Sequence, residues 1–160
     1  MPETVVAPPA APAKPLLPSL SVSSRKVSLS GRMVGGRCVK PNAHNNASNR
    51  CRLPIKLKVS YTLAAAATLT ITLKRQSTGR KVNGRCVAPT KANQSKAECM
   101  RLVSVPGQLT ETATAGSDTF TFNGKLSGKT LGPGTYRLTA TPRAADRAGT
   151  PSSVTFTIDA

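Results

Sequence analysis

Apolar and polar residues alternate along most of the chain after residue 54. IKLKVSYTL (55–63) places Ile55, Leu57, Val59, Tyr61 and Leu63 on one face. Lys56, Lys58, Ser60 and Thr62 fall on the other. A period of two over nine residues predicts a half-buried strand. ATLTITL (67–73) alternates again, with Leu69, Ile71 and Leu73 inward, and CMRLVSV (99–105) reads as a third strand. TFTFNGKL (119–126) carries Phe120 and Phe122 on one face. TYRLTATP (135–142) carries Tyr136, Leu138 and Ala140, and SSVTFTI (152–158) carries Val154, Phe156 and Ile158. Thr fills many outward positions, as strand propensity favours. Ala64–Ala67 is too short for a helix and reads as a tight connection. Pro106-Gly107, Gly132-Pro133-Gly134 and Gly149-Thr150-Pro151 punctuate the pattern. Several short strands with regular turn signals predict an all-β antiparallel sandwich.

Two stretches interrupt this pattern and copy one another. SGRMVGGRCVKPNAHNNASNRC (30–51) and TGRKVNGRCVAPTKANQSKAEC (78–99) have equal length and lie 48 positions apart. Gly31, Arg32, Val34, Gly36, Arg37, Cys38, Val39, Pro41, Asn45 and Cys51 recur as Gly79, Arg80, Val82, Gly84, Arg85, Cys86, Val87, Pro89, Asn93 and Cys99. Each copy reads as a Gly-Arg turn and a short basic strand, followed by a polar loop. Beyond alanine, the loops have no apolar residues to order them.

All four cysteines of the chain lie in these copies. Four cysteines allow three pairings. The preferred one joins Cys38 to Cys51 and Cys86 to Cys99, each pair 13 apart. Each bridge then closes a loop of roughly 14 residues, worth about 3 kcal/mol, where burial is weakest. Such bridges point to an oxidising compartment. The alternative is a four-thiolate zinc site built from both loops. Its spacing does not match the usual pairs of ligands two to four apart.

Residues 1–18 hold six of the thirteen prolines and many alanines. They read as an extended linker or arm, leaving 19–160 as a single domain with the two cysteine hairpins at 30–52 and 78–101. No run of about 18 apolar residues predicts a membrane span. The first residues lack the basic start and unbroken apolar stretch of a signal peptide. The expected setting is extracellular or cell-surface, as a piece of a longer exported protein, or virion-associated.

The net charge is +17, from 23 basic and 6 acidic residues. Such a balance favours anionic partners. Arg32, Arg37, Lys40, Arg50 and Arg52 mark the first copy. Arg80, Lys81, Arg85, Lys91, Lys96 and Arg101 mark the second. If the hairpins sit side by side these residues make one patch, and the plainer reading is a solvated charged surface. Nucleic acid is a weaker partner, because the few aromatic residues fall on core positions and none is left for base stacking.

Three segments resemble known modules. VSYTLAAAATLTITL (59–73) resembles the second and third strands of bacterial immunoglobulin-like modules. LGPGTYRLTATPRAADRAG (131–149) resembles the end of such modules and of fibronectin type III domains. GRKVNGRCVAPTKANQSKAECMRLVSV (79–105) is similar to a basic, cysteine-paired hairpin in tandem modules of exported actinobacterial proteins. The resemblance spans about residues 54–160. It implies an immunoglobulin-like sandwich with disulfide-stapled hairpin excursions, and it places Tyr136 at a tyrosine corner, its hydroxyl bonded to nearby backbone. The second cysteine hairpin, at 30–51, departs from that family's single copy. The modules serve as spacers, adhesive surfaces or appendages, and bring no catalytic residues with them.

The residues themselves offer little chemistry. His44 is the only histidine and lies in a polar loop. Glu3, Glu98, Glu111, Asp118, Asp146 and Asp159 are scattered, so no triad or carboxylate pair is indicated. No cofactor or metal is expected, and Asp146 alone is a poor calcium ligand. Asn46-Ala47-Ser48 and Asn93-Gln94-Ser95 match the glycosylation pattern in loops expected to be exposed. The leading expectation is a non-catalytic structural or adhesive module contacting an anionic cell-wall polymer or a neighbouring surface protein. The alternatives are a self-assembling subunit (a homo-oligomer in a surface filament or virion decoration) using the N-terminal arm, and a basic nucleic-acid binder.

Overall fold

The alternation at 55–63 becomes a strand from Leu57 to Leu63 whose inward residues are at most 4% exposed. The computed structural model describes Pro2, Thr4 and residues 15–160. Its strands, in order, are β1 (Ser19–Val22), β2 (Lys26–Ser28), β3 (Ser30–Val34), β4 (Arg37–Val39), β5 (Arg50–Arg52), β6 (Leu57–Leu63), β7 (Ala67–Val82) and β8 (Arg85–Val87). They continue with β9 (Glu98–Ser104), β10 (Leu109–Ala113), β11 (Gly116–Phe122), β12 (Lys125–Leu126), β13 (Lys129–Thr130), β14 (Gly134–Arg143) and β15 (Ser152–Asp159). A single 3₁₀ turn, Lys91–Asn93, is the one helical element among the described residues.

Two sheets enclose one apolar core. The first has the order β1-β6-β11, and the second has β10-β7-β14-β15-β2. Leu57, Val59, Tyr61, Leu63 and Phe122 enter the core from the first sheet. Leu69, Ile71, Leu73, Tyr136, Leu138, Ala140, Phe156 and Ile158 enter from the second. The expected inward faces are therefore buried, except that Phe120 and Val154 are only half-buried at the margin. The neighbouring strands are antiparallel apart from β2 and β15, which run parallel. β1 and β2 are one segment that changes sheets. β1 pairs with β6, and the chain crosses at Ser23–Arg25 before β2 joins β15. Ser23 N–H donates to Lys58 O on one side of the crossing, and Arg25 O accepts from Thr157 N–H on the other.

Three readings are corrected. The arm expected over residues 1–18 lies mostly outside the described residues, but its end is packed. Leu16 and Leu17 are core residues, and Leu16 O accepts from Ala64 N–H. Two adjacent leucines bury enough apolar area to hold that backbone despite the flanking prolines. The strand expected to stop at Leu73 runs on to Val82. β14 supports it to Arg75, and β9 pairs with it from Lys74 to Arg80. The expected strand 119–126 is broken at Asn123-Gly124, where Gly124 adopts φ 79° against the Ile55 side chain. The strand expected at 99–105 forms as β9, and its Met100, Leu102 and Val103 are 60%, 39% and 37% exposed.

Candidate functional site: two cystine hairpins at one end of the sandwich

The expected Gly-Arg turns are not turns. Gly31-Arg32 and Gly79-Arg80 lie inside β3 and β7. The reversals come four residues later, at Gly35-Gly36 (φ 59° and 78°) and Asn83-Gly84 (φ 51° and 77°). Two successive left-handed residues form the tight turn whose twist matches antiparallel strands. The Asn-Gly pair was the readable signal.

The bridges join Cys38 to Cys51 and Cys86 to Cys99, and no free cysteine remains. Each crosses a glycine. A Cβ on Gly31 would lie 2.5 Å from Cys38 Sγ, and one on Gly79 would lie 2.7 Å from Cys86 Sγ. The repeated glycine therefore makes room for the repeated bridge.

Each loop is built around one buried asparagine, Asn45 or Asn93. Asn45 Nδ2 donates to Lys40 O, and its Oδ1 accepts from Asn42 N–H. Asn93 makes the equivalent pair with Ala88 O and Thr90 N–H. Arg32 donates from Nε to Asn46 O, and Arg80 donates from a terminal nitrogen to Lys96 O. Polar side chains thus order loops whose only apolar residues are alanines. Asn93 is buried rather than exposed as its acceptor pattern implied, and both the N–H and the oxygen of its side-chain amide hold loop backbone. Asn46 and His44 are exposed.

Strand register places both hairpins at the same end. β7 leaves the sheet where Arg75 faces Tyr136, at the start of β14. The first hairpin follows β2, which ends where Ser28 faces Asp159 at the end of β15. Since Gly134 faces Ile158, these positions share one end of the second sheet. β14 and β15 stand between the two roots. Three strand steps put the roots roughly 14 Å apart, so the hairpins flank the end rather than lie side by side.

The corner before β14 ties the two roots together. Arg52 of the first hairpin donates to Leu131 O at 3.2 Å. Tyr136 hydroxyl donates to Gly132 O at 2.8 Å. Arg75, at the root of the second hairpin, donates to Pro133 O at 2.7 Å and lies 5.9 Å over the Tyr136 ring. Three consecutive carbonyls thus accept from three separate elements.

Of the candidate contacts, Arg37, Lys40, Arg50, Lys81, Arg85, Lys91 and Lys96 are exposed. Arg32 and Arg80 are half-buried and hold loop carbonyls. Arg101 is half-buried, with its stem near Gly79. Exposed Lys125 and Lys129, on the small β12–β13 hairpin, join this end, which single-segment reading did not reveal. Glu98 and Asp159 also belong here, and both meet cations: Glu98 lies 3.5 Å from Arg80, and Asp159 lies 3.2 Å from Lys26. Asp118 instead faces Tyr61, and Asp146 lies in the loop after β14.

Each hairpin also borders a cleft. One, of about 500 Å³, runs from Met100–Leu102 to Leu20–Val22 and Ser153–Thr155. The other, of about 810 Å³, lies between Cys38–Pro41 and Ser24–Ser28. Among the described residues, no group of three His, Cys, Asp or Glu gathers to hold a metal ion. Among the described residues, no helix is long and apolar enough to cross a membrane. No protein-family model and no curated protein matches the chain.

Proposed function

We propose that the chain is a non-catalytic, immunoglobulin-like module of an extracellular surface, whose hairpin end adheres to an anionic cell-wall polymer. The immunoglobulin-like part rests on connectivity. One edge segment serves both sheets, pairing antiparallel in the first and parallel with the last strand in the second. The Tyr136–Gly132 hydrogen bond sits at the turn into β14, as in a tyrosine corner. The extracellular setting is supported by the two disulfides, which persist under oxidising conditions.

The observation that carries the adhesive reading is the shared exit of the two hairpins. It gathers the exposed cations of both copies at one end, where Glu98 and Asp159 already face Arg80 and Lys26. A field of one sign remains for an external polyanion. The test is co-sedimentation of the oxidised protein with bacterial wall sacculi across a salt series, with DNA as competitor. Binding that persists near physiological salt, resists DNA, and drops when Lys81 and Arg85 become Glu supports the reading. Displacement by DNA, or indifference to the double substitution, overturns it.

A further inference from the structure

Consecutive residues of the crossing segment between β1 and β2 line both clefts: Arg25 lines the first, while Ser24 and Lys26 line the second. Arg25, Arg101 and Arg137 reach the first cleft from three different places in the fold. Their guanidinium groups make no hydrogen bond or ion pair among the described residues. No Asp or Glu lines either cleft. Converging cations without an acid repel one another, and a bound anion would relieve that repulsion.

The rest of the lining narrows the anion. Leu20, Val22, Met100, Leu102 and Val154 give the first cleft an aliphatic wall, and Val27, Val39 and Leu53 do the same for the second. No aromatic residue lines either one, so neither offers a platform for stacking bases. Hydroxyls recur throughout: Ser21, Ser153 and Thr155 in the first cleft, and Ser24, Ser28 and Ser30 in the second. Arginine forks with hydroxyl donors are the usual contacts of phosphate oxygens.

We propose that the two clefts form one track across the crossing segment for a linear aliphatic phosphodiester chain, with Arg25 at its midpoint. This deepens the adhesive reading and rests on it. It extends the polymer's path from the hairpin tips, where Lys81 and Arg85 lie, onto the flank beneath them. Arg101 belongs to this track, whereas Lys81 and Arg85 do not line it.

The test titrates the oxidised protein by NMR with glycerophosphoglycerol, the single repeat, and with poly(glycerol phosphate) oligomers of increasing length. Amides of Val22, Leu102 and Val154 should shift with the repeat. Those of Ser28 and Val39 should join as the oligomer lengthens, with a steep gain in affinity from linked engagement. Arg137→Gln, on an exposed strand position, should weaken binding of the repeat roughly tenfold, the loss of one charge-assisted contact. Arg25→Gln should weaken long oligomers more than the repeat.

Sacculus binding without any shift in the cleft amides overturns the track and leaves the adhesive reading standing. Saturable cleft shifts without sacculus binding keep the track and overturn the wall partner. Equal affinity for polyglutamate or single-stranded DNA overturns the phosphodiester class. Thermal melts of both variants matching the parent separate lost contacts from lost fold.

Discussion

Asn93 and Asn45, 48 positions apart, make the same two hydrogen bonds: the side-chain amide donates to the carbonyl five residues back, and its oxygen accepts from the N–H three residues back. Both are nearly buried, at 7% and 6% exposure. Asn93→Ala strands the Ala88 carbonyl and the Thr90 N–H, with an expected loss of about 1–3 kcal/mol. Asn45→Ala should lose a similar amount. Denaturant midpoints with unchanged slope will show it. A loss near zero would mean that water replaces both bonds.

The glycines beneath the bridges are the second test. A methyl on Gly79 would meet Val87 O at 2.6 Å as well as the cystine sulfur. Gly79→Ala should destabilise by about 1–3 kcal/mol through overpacking. A wild-type melting temperature would show that the hairpin base can shift to admit a side chain.

Reduction should act locally. Opening both bridges frees loops worth about 3 kcal/mol each, yet the sandwich core contains no cysteine. Hydrogen exchange at hairpin amides such as Lys81 and Met33 should accelerate by orders of magnitude, while β6 and β14 keep their protection. Parallel loss of protection in β6 would show that the hairpins hold the core together.

Tyr136→Phe removes the bond to Gly132 O and keeps the ring stacked on Phe156 at 5.7 Å. The expected loss is about 1 kcal/mol. Because the same corner also receives Arg52 and Arg75, exchange should quicken at the roots of both hairpins. An effect confined to one root would refute the shared clamp.

Tyr61 gives a pH prediction. Burial raises its phenol above the ordinary value of 10.0, and the carboxylates of Asp118 and Glu111 raise it further. The folded state therefore holds this proton more tightly than the unfolded chain does. Its contribution is complete below pH 10.0 and is lost as pH rises through the folded value. In the Tyr136→Phe variant Tyr61 is the only tyrosine, so phenolate absorbance reports it alone. Ionisation at the ordinary value would contradict the burial assigned to it.

Much of the sandwich was legible. The inward residues of β6, β7, β14 and β15 followed from alternation, because which face a strand residue takes depends only on its place in the pleat. The cystine pairing followed from one loop occurring twice. β9 formed as expected, but alternation did not tell which of its residues would be buried: Met100 and Leu102 stay exposed although the strand pairs with β7. The Gly-Arg turns misled because glycine also serves where a side chain has no room. Asn45 and Asn93 were visible only as a matched pair, and nothing local distinguished them from exposed loop asparagines.

By itself, the sequence determined the central strands β6, β7, β14 and β15, their core-facing residues and the repeated stapled hairpin, all of which rest on contacts between chain neighbours or on one short loop. Tertiary structure alone decided that both hairpins leave the same end, that Leu131, Gly132 and Pro133 receive Arg52, Tyr136 and Arg75, and that Arg25, Arg101 and Arg137 line one cleft. Those relations depend on strand order. Order is set by how two sheets close over a shared core, and residues brought together that way leave no periodic mark in the chain.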